Sequence, residues 1–284
     1  MAGKLYVCAT PIGNLKDITL RCLEALKEVD LIASEDTRHT IKLLNHYEIK
    51  TPLESYHEHN KEAKGKKILN LLLDDKNIAL VSDAGMPGIC DPGEDLIKLC
   101  YEKNVEVTVL PGATASITAL ILSGIKTRSY CFEGFLPSNK KAKKEVIQRL
   151  KDDIRTYIIY EAPHHLIQTL KEIYEQIGNR NIAIVKELTK KYENVFKSNL
   201  LDAIQYFENN EPKGEYVLVI EGANESDILN KQREDIAKIS IKEHLEKYIS
   251  NGIDVKEAMK KVAKDRGISK RDVYNEIKIK NNNF

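Results

Sequence analysis

The chain has 284 residues, of which 42% are hydrophobic and 31% are charged. This balance fits a globular protein with a sizeable core and excludes a wholly disordered chain. The five cysteines are irregularly spaced and form no C-x-x-C pair, which argues against a disulfide framework or a zinc ribbon. We therefore expect a reducing, cytoplasmic setting.

The longest uncharged run covers residues 107–125. Pro111-Gly112 interrupts this run, and threonine and serine occur along it, so it predicts a strand, a turn and a helix and not a membrane span. The apolar stretch near the amino terminus, residues 5–9, is only as long as a strand. We expect no signal peptide and no membrane association.

Short apolar runs alternate with helix-period stretches over residues 1–113. The predicted strands are at 5–9, 31–34, 53–56, 78–82 and 105–110, and the predicted helices are at 17–29, 37–47, 63–73 and 91–103. For the last helix we expect Asp91 at the N-cap, Pro92 at the first helical position and Glu94 in a capping box. The alternation predicts an α/β domain with a parallel sheet that is covered on both faces.

A second set of strands and helices follows and predicts a second α/β domain at 114–225, with a mixed sheet. Its strands are expected at 130–135, 156–161, 182–186, 193–197 and 216–221, and its helices at 140–151, 163–177 and 200–209. Gly178 is a suitable C-terminal cap for the middle helix.

The remaining residues, 226–284, predict a small helical region without strands. Residues 230–284 hold 14 Lys and Arg against 9 Asp and Glu, although the whole chain has a net charge of only +1. Asp254 with Glu257 and Ser269 with Asp272 indicate two helix starts on either side of Gly267. The pair resembles a helix-turn-helix. A basic tail indicates a polyanion-binding piece, although a solvated helical tail has the same composition.

Chemically active residues follow every predicted strand of the first domain. In open parallel sheets ligands bind beyond the carboxyl ends of the strands, so these segments are expected to meet at one edge. Glycine and proline are concentrated there, which favours a small molecule held by backbone groups. The segments are 10–14 (TPIGN), 35–38 (EDTR), 57–60 (HEHN), 82–88 (SDAGMPG) and 111–116 (PGATAS).

Standard ligand motifs are absent from the sequence. There is no G-x-G-x-x-G, no P-loop, no H-E-x-x-H and no G-x-S-x-G, so a dinucleotide site of the usual kind and a serine hydrolase are poorly supported. His57 and His59 lack further partners for a metal, and we expect none. The Glu35–Arg38 segment has two interpretations, a surface ion pair with a helix cap, or substrate positioning by Arg38 with proton transfer by Glu35 or Asp36.

The ordered motifs resemble those of the ribosomal RNA methyltransferases in the tetrapyrrole methylase superfamily. They are Ala9-Thr10-Pro11-Ile12-Gly13-Asn14-Leu15, Glu35-Asp36-Thr37-Arg38, Ser82-Asp83-Ala84-Gly85-Met86-Pro87, Asp91-Pro92-Gly93, Pro111-Gly112, Gly134-Phe135-Leu136-Pro137, Tyr160-Glu161-Ala162-Pro163-His164 and Lys213-Gly214-Glu215-Tyr216. The resemblance implies two α/β domains with the cofactor between them, an accessory helical tail and a homodimer. It also implies methyl transfer from S-adenosylmethionine to the ribose 2′-hydroxyl of a cytidine in small-subunit ribosomal RNA.

By this resemblance, eight residues are expected to hold the cofactor. They are Pro11, Asp83, Gly85, Met86, Gly112, Thr114, Ala115 and Ala162. Met86 stands where threonine is common in the family, Ala113-Thr114-Ala115 replaces a more usual Pro-Ser-Ala, and His165 replaces a common arginine. A ribose hydroxyl is a weak nucleophile and requires a base or a stabilising charge. Our candidates are Glu35 and Asp36, with Arg38 or Lys186 as the cation.

RNA is expected to bind mainly through phosphate contacts from lysines of the second domain and the tail. These are Lys140, Lys141, Lys143, Lys144, Lys256, Lys260 and Lys264. They can equally be solvated faces of helices. Two other functions remain open from the sequence, a small-molecule methylase that acts on a tetrapyrrole carbon, and a non-enzymatic RNA-binding protein of ribosome assembly. The substrate can be the free RNA or the assembled 30S subunit.

Overall fold

The computed structural model describes residues 2–281. It divides into two compact units. The larger unit comprises Met1–Lys151 and Arg155–Gly222, and the smaller unit comprises Asp152–Ile154 and Ala223–Phe284. The larger unit contains two five-stranded sheets.

The first sheet has the strand order β3-β2-β4-β1-β5, and all of its pairings are parallel. Its strands are β1 (Lys4–Cys8), β2 (Leu31–Ser34), β3 (Leu53–Ser55), β4 (Ile78–Val81) and β5 (Glu106–Leu110). The connecting helices are α1 (Leu20–Glu28), α2 (Thr37–His46), α3 (Lys61–Leu73) and α4 (Gly93–Glu102), and α5 (Ala115–Ser123) follows β5. The predicted parallel α/β arrangement is confirmed.

The central strands of this sheet are covered on both faces. Leu5 and Ile78 pack with α3 and α4 in one buried cluster, and Cys8 and Ala79 pack with α1 and α2 in another. Residues alternate between the two faces of a strand, so a strand that is buried on both sides is apolar throughout. This explains why β4 is entirely buried.

Three of the four helix starts predicted for this domain differ from the structure, and α3 begins two residues early, at Lys61. The stretch at 17–29 is a 3-10 turn, Leu15–Asp17, followed by a separate helix that Thr19 caps by accepting from the Cys22 amide at 3.2 Å. Helix α4 begins at Gly93 with Pro92 as N-cap. The Asp91 carboxylate instead accepts from the amides of Gly88 and Gly93, both at 2.8 Å. Asp91 therefore bonds to the first amide of the helix and also closes the turn before it, while Pro92 takes the N-cap position.

The second sheet is mixed, with the strand order β6-β7-β10-β8-β9. Only the β6–β7 pairing is parallel, and the other three are antiparallel. Its strands are β6 (Tyr130–Phe135), β7 (Thr156–Glu161), β8 (Asn181–Lys186), β9 (Asn194–Asn199) and β10 (Tyr216–Ile220). Its helices are α6 (Lys140–Arg149), α7 (Leu166–Ile177) and α8 (Leu200–Asn209). The predicted mixed sheet is confirmed, and α7 starts three residues later than expected.

The two faces of the second sheet have different partners. Ile159, Ile184 and Leu218 pack against α6, α7 and α8 in a buried cluster. The opposite face presents Ile158, Ala183 and Val219 to Leu120 of α5. Helix α5 therefore joins the two sheets within the larger unit.

Four helices form the smaller unit within the described residues. They are α9 (Glu225–Lys238), α10 (Ile241–Ser250), α11 (Val255–Arg266) and α12 (Lys270–Asn281). Leu245, Ala258 and Val262 belong to its buried core. Gly267, at a φ of +66°, ends α11 as predicted, and Ser269 and Asp272 exchange hydrogen bonds before α12. The domain boundaries predicted at residues 113 and 225 stay predictions.

Candidate active site

The loops that follow β1 and β4 are joined by backbone hydrogen bonds. The Thr10 amide donates to the Gly85 carbonyl at 2.8 Å, and the Gly85 amide donates to the Thr10 carbonyl at 3.1 Å. The Thr10 hydroxyl also donates to the Ser82 carbonyl at 3.2 Å. The chemically active segments after two adjacent strands therefore form one wall at the carboxyl edge of the first sheet.

Gly85 permits a close approach of three loops. Its φ is +81°, and a Cβ there would lie 3.1 Å from Ile12 Cγ2 and 3.4 Å from the Ala113 carbonyl oxygen. Ile12 belongs to the loop after β1, and Ala113 belongs to the loop after β5. A glycine is required because a side chain is both conformationally strained and crowded at this position.

These loops and the second sheet enclose a cavity of about 530 Å³. Its size lies within the range of roughly 300–1,000 Å³ that is usual for small-molecule sites. The first sheet and α5 contribute Ile12, Glu35, Ser82, Asp83, Ala84, Gly85, Met86, Ile89, Cys90, Asp91, Thr114 and Ala115. The second sheet and its loops contribute Phe135, Tyr160, Glu161, Ala162, Pro163, Val185, Leu188, Glu215, Tyr216 and Val217.

The turn after β8 completes the cavity from the side of the second sheet. Leu188 lines the cavity, and a Cβ on Gly13 would lie 2.8 Å from the Leu188 carbonyl oxygen and 2.6 Å from Lys190 Cγ. Lys190 Nζ lies 2.8 Å from Glu215 Oε2. The loop after β1 is thus held between its own sheet and this turn.

Tyr160 connects the second sheet to the first turn of α5. Its hydroxyl oxygen accepts a hydrogen bond of 3.1 Å from the Ser116 amide. Burial raises the pKa of Tyr160, so the phenol keeps its proton at neutral pH. Phe132 and Phe135 contact its ring edge-on, with centroid distances of 5.0 and 5.6 Å.

Glu35 and Asp36 have opposite electrostatic environments although they are adjacent. Burial, followed by the negative charges of Asp83 and Asp91, raises the pKa of Glu35. The Asp36 carboxylate accepts from Arg38 Nη2 at 2.6 Å and from the Arg38 amide at 2.8 Å, which lowers the pKa of Asp36 to about 2. Only Glu35 of this pair lines the cavity.

Six of the eight residues expected to hold the cofactor line the cavity together. Pro11 and Gly112 do not. Pro11 precedes Ile12, which does line it. Gly112 packs against Ala9, the residue that follows β1, since a Cβ at Gly112 would lie 2.6 Å from Ala9 Cβ. Both residues therefore shape the loops behind the wall. The six that line the cavity are Asp83, Gly85, Met86, Thr114, Ala115 and Ala162.

The two expected cationic residues lie outside the cavity lining. The Arg38 side chain is 87% exposed and is paired with Asp36. Lys186 ends β8 next to Val185, which lines the cavity. Successive residues of a strand point to opposite faces, so Lys186 points away from the face that carries Val185.

The lysines predicted to contact RNA have two different environments. Lys140, Lys141 and Lys144 are exposed on α6, and Lys256, Lys260 and Lys264 are exposed on α11. Lys143 instead lies inward, with Nζ 2.7 Å from Glu172 Oε2 and 2.9 Å from Thr169 Oγ1. Because its side chain is only 17% exposed, the structure corrects the expectation that Lys143 presents its charge to RNA.

Several residues of the cavity wall lie outside the set of site residues expected from the sequence. Tyr160, Glu161, Glu215 and Tyr216 occur in quoted motifs but were given no role. Leu188 carried no local signal, because the pairing of β8 with β10 places it at the wall. Thr189 next to it has a φ of +63°, which is uncommon for a β-branched residue.

Neither a metal centre nor a membrane helix is found in the part of the chain that the structure describes. Over residues 2–281 no group of three or more His, Cys, Asp or Glu side chains is arranged to hold a metal ion. In the same residues no helix has the length and apolar character needed to cross a membrane.

Known proteins resemble this chain in both sequence and fold. The Tetrapyrrole (Corrin/Porphyrin) Methylases family matches residues 4–204. A protein of Bacillus subtilis (strain 168) named ribosomal RNA small subunit methyltransferase I is 48% identical, over 98% of this chain and 95% of its own length. A protein of the same name from Synechocystis sp. is 44% identical, over 96% of both chains.

Two solved structures share the fold of the larger part of the chain. The methyltransferase CobJ has a TM-score of 0.61 at 17% identity and covers 78% of this chain and 95% of its own. Uroporphyrin-III-C-methyltransferase from Thermus thermophilus has a TM-score of 0.56 at 17% identity, covering 77% and 94%. The fold class is shown by these neighbours, and the family by the sequence relatives. This chain belongs to the ribosomal RNA small subunit methyltransferase I family of the tetrapyrrole methylases.

Proposed function

We propose that the protein transfers a methyl group from S-adenosylmethionine to the ribose 2′-hydroxyl of a cytidine in small-subunit (16S) ribosomal RNA. One observation carries the proposal: six residues assigned to the cofactor through family motifs line a single cavity. The cavity lies at the carboxyl edge of a parallel sheet, where ligands bind in α/β folds. The names of the relatives that share nearly the whole chain support the RNA substrate.

The lining of the cavity fits S-adenosylmethionine. Ile12, Met86 and Val217 offer apolar surface, and the close approach of loops at Gly85 presents backbone groups. The carboxylate of Asp83, which also lines the cavity, is suited to accept hydrogen bonds from ligand amino and hydroxyl groups. The bound cofactor supplies a methyl group on a positively charged sulfur, which is activated for direct transfer to an oxygen.

Glu35 is the proposed general base. Its carboxyl group is at the cavity wall, and burial with the neighbouring charges of Asp83 and Asp91 raises its pKa. A base whose pKa lies nearer the working pH takes up a proton more effectively. Asp36 is the weaker candidate, because Arg38 engages its carboxylate and lowers its pKa to about 2.

The proposed RNA contacts lie outside the cavity. Of the described residues that line it, none has a basic side chain, so phosphates are expected to bind at the rim and beyond. Arg38 provides positive charge there, and the ring of its exposed neighbour His39 lies with Nδ1 3.7 Å from Asp83 Oδ2. Lys140, Lys141 and Lys144 provide charge on α6, and Lys256, Lys260 and Lys264 provide it on α11.

A homodimer in the cytoplasm belongs to the same proposal. Ile121 of α5 is 70% exposed and Val109 of the edge strand β5 is 52% exposed. Apolar side chains in such positions supply the area that a subunit interface buries. Light scattering coupled to size-exclusion chromatography tests the expected mass of a dimer.

The experiment that tests the activity is a methylation assay with labelled S-adenosylmethionine. The acceptors are 30S subunits and free 16S RNA from cells that lack the gene, and the products are digested to nucleosides and analysed by mass spectrometry. The proposal expects 2′-O-methylcytidine. A parallel reaction offers a tetrapyrrole as acceptor, and a methylated tetrapyrrole without labelled RNA would identify a small-molecule methylase instead. Absence of cofactor binding in calorimetry would favour a non-enzymatic role in ribosome assembly.

A further inference from the structure

Lys143 begins a chain of buried polar contacts between α6 and α7. Its Nζ atom lies 2.7 Å from Glu172 Oε2 and donates to Thr169 Oγ1 at 2.9 Å. Thr169 is fully buried. Lys143 therefore has two partners on α7, the carboxylate of Glu172 and the hydroxyl of Thr169.

The direction of these hydrogen bonds is fixed by the chemistry of the groups. An ammonium group only donates, so Thr169 Oγ1 accepts from Lys143 and must use its own proton elsewhere. Its hydroxyl donates to Glu161 Oε2 at 2.6 Å. An ionised carboxylate only accepts, so no reversal of the chain is possible while both ends are charged.

Glu161 lies at the end of this chain and at the wall of the cavity. Glu161 is one of the residues that line the cavity, and the residue is only 7% exposed. Oε1 accepts from the Ala162 amide at 2.8 Å, and Oε2 accepts from Thr169. A carboxylate has about four acceptor positions, so Glu161 retains acceptor capacity beside the cavity after its protein partners are counted.

We propose that Glu161 is a further cofactor-binding residue, which accepts a hydrogen bond from an amino or hydroxyl group of the cofactor, and that Lys143 and Thr169 are positioning residues that hold its carboxylate. This inference rests on the proposed use of S-adenosylmethionine. It assigns Lys143 to the cofactor site although its sequence context, a lysine-rich helix start, indicated RNA.

The test compares cofactor affinity among four variants by calorimetry with S-adenosylmethionine. Thr169→Val keeps the shape of the side chain but removes the hydroxyl, and Thr169→Ser restores it. Lys143→Met removes the first donor. Lys171→Met is the matched control, because Lys171 also forms an ion pair from a neighbouring position, with Glu208 at 2.7 Å. Thermal unfolding is recorded for each variant.

We expect Thr169→Val and Lys143→Met to weaken cofactor binding by about tenfold, the usual effect of disturbing a hydrogen bond to a charged group. Thr169→Ser and Lys171→Met should bind as the wild type does. The steady-state assay should show a raised KM for the cofactor with little change in kcat. A purely structural role would lower the melting temperature without this split in kinetic constants.

Binding of methylthioadenosine, which lacks the amino-acid part of the cofactor, shows which cofactor group donates the hydrogen bond to Glu161. If Thr169→Val also weakens its binding, the donor lies on the nucleoside. If only S-adenosylmethionine binding weakens, the donor is the ammonium group. Wild-type affinity of Thr169→Val for both ligands would overturn the inference. If the wild type itself bound no S-adenosylmethionine, the proposed function would fail, which is a distinct result.

Discussion

The amide of Asp36 donates a hydrogen bond of 2.9 Å to Asp83 Oδ1. Asp36 follows β2 and Asp83 follows β4, so this bond ties together loops that are 47 positions apart in sequence. It also places the Asp83 carboxylate beside Glu35, whose pKa is raised by burial and then by this charge. One side chain thus organises both the shape and the electrostatics of the cavity wall.

Replacement of Asp83 by alanine should weaken cofactor binding. The change removes the acceptor for the Asp36 amide and frees both loops, and we expect a loss of about tenfold or more in affinity for S-adenosylmethionine. Asp83→Asn keeps an oxygen acceptor and should retain more of the affinity. Calorimetry measures both variants. Equal affinity of Asp83→Ala and wild type would contradict the placement of the cofactor against this wall.

Glu35→Gln should impair methyl transfer more than cofactor binding. The amide cannot take up the proton of the attacking hydroxyl, and loss of a general base costs about 100-fold or more in rate. Single-turnover methylation of 30S subunits measures this rate, and calorimetry measures the cofactor affinity. Asp36→Asn is the comparison variant, for which we expect a smaller loss of rate. A larger loss for Asp36→Asn would reverse the assignment of the base.

The rate of methyl transfer should rise with pH as Glu35 loses its proton. Burial and the charges of Asp83 and Asp91 raise the pKa of Glu35, so the rise should be centred above the ordinary range of a glutamate. Asp83→Asn removes one of these negative charges, which lowers the pKa of Glu35 and moves the rise to lower pH. A rate profile with an unchanged midpoint in Asp83→Asn would argue against Glu35 as the titrating group.

The exposed lysines of α11 should contribute to the salt dependence of RNA binding. Combined replacement of Lys256, Lys260 and Lys264 by glutamine should reduce the slope of log affinity against log salt by roughly one per lost phosphate contact. The control is replacement by glutamine of Lys242 and Lys247, which are exposed on α10. It also removes positive charge from the same unit, but from another helix. Filter binding across a salt series measures the slope, and an unaltered slope would assign these lysines to a solvated face.

Gly85→Ala should affect both stability and the cofactor site, whereas Gly124→Ala should affect stability alone. Gly85 and Gly124 have φ values of +81° and +70°, and an alanine in this region costs about 1 kcal/mol. The new Cβ at Gly85 meets Ile12 and Ala113, but at Gly124 it meets only the mobile end of Lys197. Chemical denaturation measures the stability of each variant, and calorimetry measures its cofactor affinity. Similar affinities in both variants would contradict the placement of the cofactor against the loops that meet at Gly85.

Strand positions were predictable because the two sheets have apolar runs of strand length between clear turns. All ten predicted strands are found, with ends that differ by two residues at most. Helix starts were less predictable where several caps competed. Asp91 and Pro92 both favour a start, and the Asp91 carboxylate bonds to the amides of both Gly88 and Gly93, while Pro92 takes the N-cap position. Ser240 and Glu243 form a capping box at the start of α10, which is a helix signal that the sequence itself contains.

Only part of the cavity lining was predictable from the sequence. The other part depends on contacts between residues that are far apart in the chain. The loops of the first sheet could be assembled from the rule that parallel strands end at one edge. Glu161 and Leu188 reach the wall through the pairing of β7, β10 and β8, which sequence patterns do not specify. The inward position of Lys143 depends on the packing of α6 against α7, so local charge patterning misplaced it.

The strand order also determines when the nascent chain can complete its fold during translation. Leu5 in the first strand pairs with Ile78 and Val107, so the first strand has no strand partner until the fourth and fifth strands emerge. Val217 on the last strand completes the pocket lining. Nascent chains that end before this strand should be unable to bind S-adenosylmethionine. Cofactor binding should therefore arise late in translation, in one step, when the final strand inserts between β7 and β8.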